Sequence, residues 1–580
     1  MRDGHPRVAD YIVSSLAELG VRTVFGVGGA NIEDIYDAVH FSDGRVTAIV
    51  AKHEFAAACM AEGSHRTVGG LGVVMTTSGA GSMNLVPGIA EAYSARVPML
   101  ALVGQPPTNL EGTGAFQDSS GRGGAFDAVE LFSSISRFCA RVDDPADIGK
   151  LLAAAIDAAR APRGGPAVLL LPKDVQQAPA EALPVLSELL APVTVPAART
   201  RRAAAELLAA TVGRGDEVLL IAGDGVGHQD ARAETAELAK LAGASVAVTP
   251  EGKDAFDNHD PRFVGIAGVI AHPTVLRRLE SAALCVLVGT RLPVMARAGL
   301  ERALAETPVI CFDPEPPHLD PHRDGAPVLH VDGDLGTELR AVNEVLSALP
   351  DHPVAEPADG PEYLVTPRPD TPGVRLFDAV RAIGAVLPDD APLVCDAGNS
   401  SVAAIHYLPV PRRGNFILAL GMAGMGHSFG AGIGAALASG RRAFVLSGDG
   451  GFYTHGMEVH TAVEYDVPVT FVIFNNNAHA MCVTREQVFY SADYTYNLFK
   501  PADLAAGIRA MFPTIPAVRA TTADELRLAL LDTNDRPGPA FVCVDVDPAE
   551  MPPFVPFLRL LEDLPTRPGD KHVDYVAPVG

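Results

Sequence analysis

The stretch "GDGGFYTHGMEVHTAVEYDVPVTFVIFNNNAH", Gly448 to His479, decides how the rest of the chain is read. An apolar run, "RRAFVLSGDG", stops at three glycines and an aspartate; a helix-like segment follows, and a second apolar run, "VPVTFVIF", ends in three asparagines. Apolar runs separated by a helical segment suit a buried parallel sheet, and ligands gather at the carboxyl ends of such strands. Gly448, Gly450 and Gly451 let the backbone approach a guest closely, and their N–H groups are suited to cradle phosphate oxygens. Asp449 and Asn476 are hard oxygen ligands, and with neighbouring strands the Ala478 carbonyl adds a third. The pattern fits a diphosphate held through magnesium. A glycine turn with a polar cap is the plain alternative, and the chain carries its own comparison. "IAGDGVGH" at 221–228 also contains Gly-Asp-Gly, yet the residue 27 beyond Asp224 is Glu251, whereas the residue 27 beyond Asp449 is Asn476. The copy at 223–225 therefore reads as structural.

Working outward, 580 residues are enough for about three domains. Hydrophobic residues make up 48% and charged residues 20%, an ordinary globular composition. A formal net charge of -25 argues against a sequence-independent nucleic-acid binder, which needs a basic footprint. The seven cysteines form no C-x-x-C pair and mostly sit in apolar runs, so buried thiols in a reducing cytoplasm are expected, with no disulfide framework and no zinc site. The N-terminus has helical spacing rather than the core of a signal peptide, and no apolar run is long enough to suggest a membrane span.

Strand-like and helix-like segments alternate in three blocks, so the expected fold is α/β, with three doubly wound parallel-sheet domains. The first is placed at 1–180, the second at 190–350 and the third at 370–550, with a tail at 551–580. Pro-rich stretches at 178–200 and just past 348 read as linkers.

This arrangement resembles the thiamine diphosphate (ThDP) enzyme superfamily, whose signature runs from Gly-Asp-Gly to a pair of asparagines. The resemblance implies that Asp449, Asn476 and the Ala478 carbonyl bind Mg2+, and that the backbone of Gly448, Asp449, Gly450, Gly451 and Phe452 holds the diphosphate. It also implies a glutamate just after a strand, where its carboxylate hydrogen bonds the far nitrogen of the aminopyrimidine and promotes loss of a proton from the reactive carbon. Glu54 in "AKHEFAAACMAEG" stands there. By position alone it reads as a first-turn glutamate favoured by the helix dipole. In "ALGMAGMGHSFGAG", Gly424 precedes Met425, which matches a bulky wedge holding the cofactor bent; a core methionine is the alternative. In "DAGNSS", Gly398 matches a Gly-Gln-His segment that touches the diphosphate, while Asn399 and Ser400 are substitutions that keep hydrogen-bonding ability.

Over most of the chain the layout is similar to acetolactate synthase-like proteins, through "FGVGGANIEDIYDAV", "TTSGAGSMNLVPGIAEAY" and "GTGAFQD". This resemblance puts Gly28, Gly29, Ala30, Thr77, Phe116 and Gln117 on the substrate side. The adjacent histidines of pyruvate decarboxylase-type enzymes do not occur, and Thr77 stands where benzoylformate decarboxylase-type enzymes place a histidine. The expectation is a carboligase that decarboxylates a 2-keto acid, pyruvate foremost, and transfers the fragment to an acceptor carbonyl. A non-ligating decarboxylase, a housekeeping acetolactate synthase and a non-catalytic paralogue stay open. Past the asparagines, "AHAMCVTREQVFY" keeps Met481 as a cofactor contact but replaces a glycine by Ala480. His479 becomes a candidate proton shuttle and Arg485 a candidate for an acceptor's carboxylate or phosphate; these departures favour specialised metabolism. The middle block resembles an FAD-binding domain, although "GTRLPVMAR" lacks the acidic pair that usually follows the arginine, which leaves FAD absent or a relic. The resemblance further implies a homodimer or dimer of dimers, with each cofactor shared between chains, and neither nucleic-acid nor membrane partners.

Overall fold

The structure is a computed structural model that describes residues 6–180, 183–191, 199–320, 325–349, 360–367, 372–490 and 494–563. Three six-stranded sheets organise it. The first holds β1 (Thr23–Val27), β2 (Thr47–Val50), β3 (Gly72–Thr76), β4 (Met99–Gln105), β5 (Phe138–Arg141) and β6 (Pro166–Pro172) in the order β2-β1-β3-β4-β6-β5. The second holds β7 (Val218–Ala222), β8 (Ser245–Val248), β9 (Phe263–Ile266), β10 (Leu284–Val288), β11 (Val309–Phe312) and β12 (Val328–Val331) in the order β12-β11-β10-β7-β8-β9. The third holds β13 (Leu393–Cys395), β14 (Phe416–Leu418), β15 (Ala443–Gly448), β16 (Val469–Asn475), β17 (Ala517–Ala520) and β18 (Ala540–Asp545) in the order β14-β13-β15-β16-β18-β17. The pairings within all three sheets are parallel. The first and third sheets thus share one topology, and the middle sheet has the dinucleotide-fold order.

Burial explains the residue choice. β3, β4 and β6 are buried along their whole length, as strands covered by helices on both faces must be. β5, β9 and β17 are edge strands of four residues, too short to show an apolar pattern in the sequence. The linker at 178–200 carries a short helix, Leu186–Leu189, with 181–182 and 192–198 outside the described residues. Most of the second linker also lies outside them, at 350–359 and 368–371. The tail begins with a helix, Val555–Asp563, that buries Phe557, and residues 564–580 lie outside the described residues. Among the described residues no helix is long and apolar enough to cross a membrane.

The domains share cores. One face of the first sheet packs with the third domain, and the other is covered by its own helices. The other side of the third domain packs with the middle domain. The tightest junction is between α1 (Glu54–Val68) and, beyond α2 (Ala80–Ser94), α3 (His427–Ser439). These helices meet backbone to backbone. A Cβ at Gly63 would stand 2.0 Å from the Ala431 carbonyl oxygen, and one at Gly434 would stand 1.9 Å from that of Met60. Only hydrogen fits there. Gly434→Ala is expected to lower stability by at least about 1–3 kcal/mol, the usual cost of overpacking, as a drop in thermal midpoint. An unchanged midpoint would contradict the close approach.

Candidate active site

β15 and β16 pair in parallel with Gly448 opposite Phe474, so Asp449 and Asn476 stand just past the ends of neighbouring strands. They line a cleft of about 200 Å³ with Gly398, Asn399, Ser400, Met425, Gly448, Gly450, Gly451, Ala478, His479 and Met481. The cleft opens where the strand order reverses between β13 and β15, the usual ligand position in such a sheet. Asp449 is buried. Its Oδ1 accepts from the Gly450 N–H at 3.1 Å, while Oδ2 has no hydrogen-bond partner among the described residues. Burial pushes its carboxyl up to about 6, against the lowering effect of backbone N–H groups at Gly450, Asn477 and Ala478. A buried carboxylate oxygen without a protein donor is costly unless a charge partner meets it. Asn476 turns its Oδ1 to the Ala478 N–H at 3.1 Å. Asn399 donates to Thr484 Oγ1 at 3.3 Å, and its own Oδ1 is buried without a partner.

Glycine is needed at the cleft floor. A Cβ at Gly450 would meet the His479 ring at 2.6 Å, and one at Gly451 would meet Asp396 Oδ2 at 2.4 Å. His479 is half-buried, its ring edge-on to Phe499 at 4.7 Å. Phe452 turns into the core, 5.6 Å from Phe541, so only its backbone faces this region. Gly424 backs onto the Phe55 ring instead of lining the cleft. Arg485 is exposed on the helix Ala480–Tyr490, with its guanidinium over Phe489 at 6.0 Å, and does not line the cleft.

The first-domain residues form a second cluster. Glu54 opens α1 and is buried; its Oε2 accepts from Asn84 Nδ2 at 3.0 Å, and a Cβ at Gly81 would crowd Oε1 at 3.0 Å. Gln117 Oε1 accepts from Thr77 Oγ1 at 3.0 Å, and Gln117 has a left-handed backbone at φ +59°. Gly29 packs on Thr77, Gly28 and Ala30 flank it, and Phe116 is 75% exposed. Glu54 does not line the cleft formed by the third domain of its own chain.

Three family models cover most of the chain: the N-terminal TPP (thiamine pyrophosphate) binding domain at 6–123, the central domain at 202–342 and the C-terminal TPP binding domain at 396–544, each of the thiamine pyrophosphate enzymes. The chain belongs to the thiamine pyrophosphate enzyme family. It is 27% identical to a probable acetolactate synthase large subunit of Methanocaldococcus jannaschii, over 94% of this chain and 93% of that one. It is also 27% identical to the acetolactate synthase isozyme 2 large subunit of Escherichia coli, over 96% and 99%. A solved Mycobacterium smegmatis chain, described as a thiamin diphosphate-dependent enzyme, shares the fold with a TM-score of 0.76 at 22% identity, over 94% of this chain and 100% of that one.

The chain is thus a ThDP-dependent, acetolactate synthase-like enzyme, and the cleft fits that cofactor's charged end. The unpartnered Asp449 oxygen suits a cation, and a Cβ at Gly398 or Gly448 would meet no protein atom closer than 4.0 Å, which leaves those backbones open to a diphosphate. Several positioning residues gave no sequence signal. Asp396, at the end of β13, accepts from Gly426 N, Ser428 Oγ at 3.0 Å and Ser447 Oγ at 2.8 Å, tying the ends of β13 and β15 to the start of α3. Glu458 accepts the N–H groups of Lys52 and His53 at 2.8 and 2.9 Å, fixing the turn before Glu54. A lone buried acid can be spotted only through its long-range partners. Asp449→Asn is expected to weaken magnesium-dependent ThDP binding more than about tenfold, measured by calorimetry. The same variant removes a carboxyl whose folded-state pKa lies above its unfolded value, a group that costs stability once ionised. Without cofactor it should exceed wild type in stability by on the order of 2 kcal/mol above pH 7. That gain should shrink as pH falls through about 6 and vanish below about pH 3, where the carboxyl is neutral in both states; equal stabilities at pH 7 would contradict the buried, unpaired charge.

Proposed function

We propose that this enzyme is a ThDP- and Mg2+-dependent carboligase that decarboxylates a 2-keto acid, with pyruvate the foremost donor, and joins the fragment to an acceptor carbonyl. The observation that carries the reading is the Asp449 oxygen left without a partner beside Asn476 and the Ala478 backbone. Those three groups would hold the cation, and Gly448–Gly451 with Asn399 and Ser400 would hold the diphosphate. ThDP, when bound, supplies the electron sink on which a 2-keto acid loses carbon dioxide. Asn84 orients the Glu54 carboxylate and leaves Oε1 for sharing a proton with the pyrimidine. The Thr77–Gln117 corner is made of hydroxyl and amide groups, which donate hydrogen bonds but do not deliver a proton near neutral pH. Such a corner supports an acceptor's developing oxyanion better than protonation of the donor fragment. His479, at the cleft wall, is the candidate proton carrier for the acceptor. The acetolactate synthases it resembles support the same reaction class.

A complete site needs Glu54 and the Asp449 cleft together, and one chain does not line its cleft with Glu54. A second copy supplying Glu54 resolves this. FAD stays outside the reading. The middle-domain cavity at the ends of β7 and β10 measures about 340 Å³ and is faced by Asp224 and Glu251. Arg96, paired with Asp313 at 2.6 and 2.9 Å, borders both it and a second cavity of about 180 Å³. Arg66, Arg96 and Arg291 line the first cavity beside those carboxylates, so its wall carries both signs of charge and gives FAD no specific support.

Glu54→Gln should slow hydrogen–deuterium exchange at the cofactor's reactive carbon by about 10²–10⁴-fold, followed by NMR. Mixing that variant with inactive Asp449→Asn should restore activity in mixed dimers, which regain one intact site; no recovery would refute sharing between chains. Gln117→Ala should lower ligated product more than carbon dioxide release, by up to roughly 2.7–4 kcal/mol in the ligation step. Product analysis with pyruvate, with and without an added carbonyl acceptor, reads this out, and an equal fall in both outputs would favour the decarboxylase alternative.

A further inference from the structure

The loop from Ala419 to Gly426 joins β14 to α3 and carries Met425 to the cleft. It has no regular structure of its own, and Ala423 adopts a left-handed backbone at φ +52°, a conformation an alanine keeps only when its surroundings impose it. One end of the loop is held by Asp396, which accepts the Gly426 N–H. The other end is held from the first domain. Glu91, near the end of α2 and 2% exposed, accepts the Gly421 N–H on Oε1 at 3.1 Å. Its Oε2 accepts the N–H groups of Met422 at 2.5 Å and Ala423 at 3.2 Å. Three consecutive backbone donors converge on one carboxylate, an anion-binding nest filled by the protein itself. Gly421 permits the approach, since a Cβ there would stand 2.5 Å from that of Ser94 and 3.0 Å from Glu91 Oε1.

We propose that Glu91 is a positioning residue for the cofactor: it clamps Gly421–Ala423 so that Met425 already stands in the cleft before ThDP arrives. The proposal rests on the ThDP reading above. Met425 remains 39% exposed although it lines the cleft, so packing alone does not hold it; the loop is held by its two carboxylate anchors and by the Thr454 hydroxyl, which donates to the Met425 carbonyl at 3.2 Å. Charge-assisted bonds in a buried site are strong. Preorganising the loop removes an ordering cost from the binding step. Gln at position 91 would turn an amide N–H2 toward backbone donors on one side, which releases part of the nest.

The test uses the full-length protein. Hydrogen–deuterium exchange of the cofactor-free chain, read by mass spectrometry, should show slow amides at 421–423 that exchange about tenfold faster or more in Glu91→Gln. Calorimetric titration with ThDP and Mg2+ should show affinity lower by about tenfold or more, while kcat at saturating ThDP changes less. Glu91→Asp, which keeps the charge, should recover part of the affinity. Gly421→Ala pushes the loop away with Glu91 intact and should reproduce the loss. Thermal melting and circular dichroism establish that each variant is folded. Faster exchange with unchanged ThDP affinity overturns the proposal and leaves the cofactor reading standing, whereas wild type that binds no ThDP overturns both. Should Glu91→Gln not fold, unchanged affinity in Gly421→Ala is the overturning result.

Discussion

The glycine-lined contact between α1 and α3 is the constraint on which the rest depends. With Gly63 against Ala431 and Gly434 against Met60, two helices from different domains touch through their main chains. Every feature of the site is measured from that contact. Glu54 is the first residue of α1, and the loop bearing Met425 ends where α3 begins. Moving either helix by the width of a methyl group would shift both. Close-packed interiors transmit such displacements and do not absorb them.

Buried charges set the same junction's geometry. Burial works against the charge on Glu62, yet His427 and Arg66 hold its carboxyl down at about 2. Glu62 thereby links α1 to the first residue of α3 through a 2.9 Å contact. Arg96 and Asp313 do the same between the first and middle domains. Lys253 reaches from the middle domain to the carbonyls of Ala404 and Ile405 in the third. Such pairs add little net stability, because desolvation offsets attraction, but they strongly penalise any arrangement that separates them. They specify how the domains sit more than they strengthen the whole. Asp449 differs from these pairs: its Oδ2 is buried and unpaired among the described residues.

Much of the site was legible along the chain because its signals are local. Gly-Asp-Gly ends one strand and the asparagines end the next, and neighbouring parallel strands bring such ends together by construction. Glu54 opens an alanine-rich helix, a place that suits any glutamate, and only the family resemblance singled it out. Residues with single, long-range partners were not legible. Glu91, Asp396 and Glu458 look like ordinary acids until the loops they hold are seen. Arg485 went the other way: it sits next to the motif in sequence, yet its helix turns it toward Phe489 and solvent.

The sequence by itself therefore determined the three-domain α/β plan and the cofactor motif, since periodicity and strand-end chemistry depend on neighbours within one element. Tertiary structure alone decided which acids act as clamps and why Met425 stands where it does. It also placed Glu54 outside the cleft that Asp449 lines in the same chain. Those outcomes depend on contacts between residues hundreds of positions apart, such as Glu91 with Ala423, and no local pattern encodes a distance of that kind.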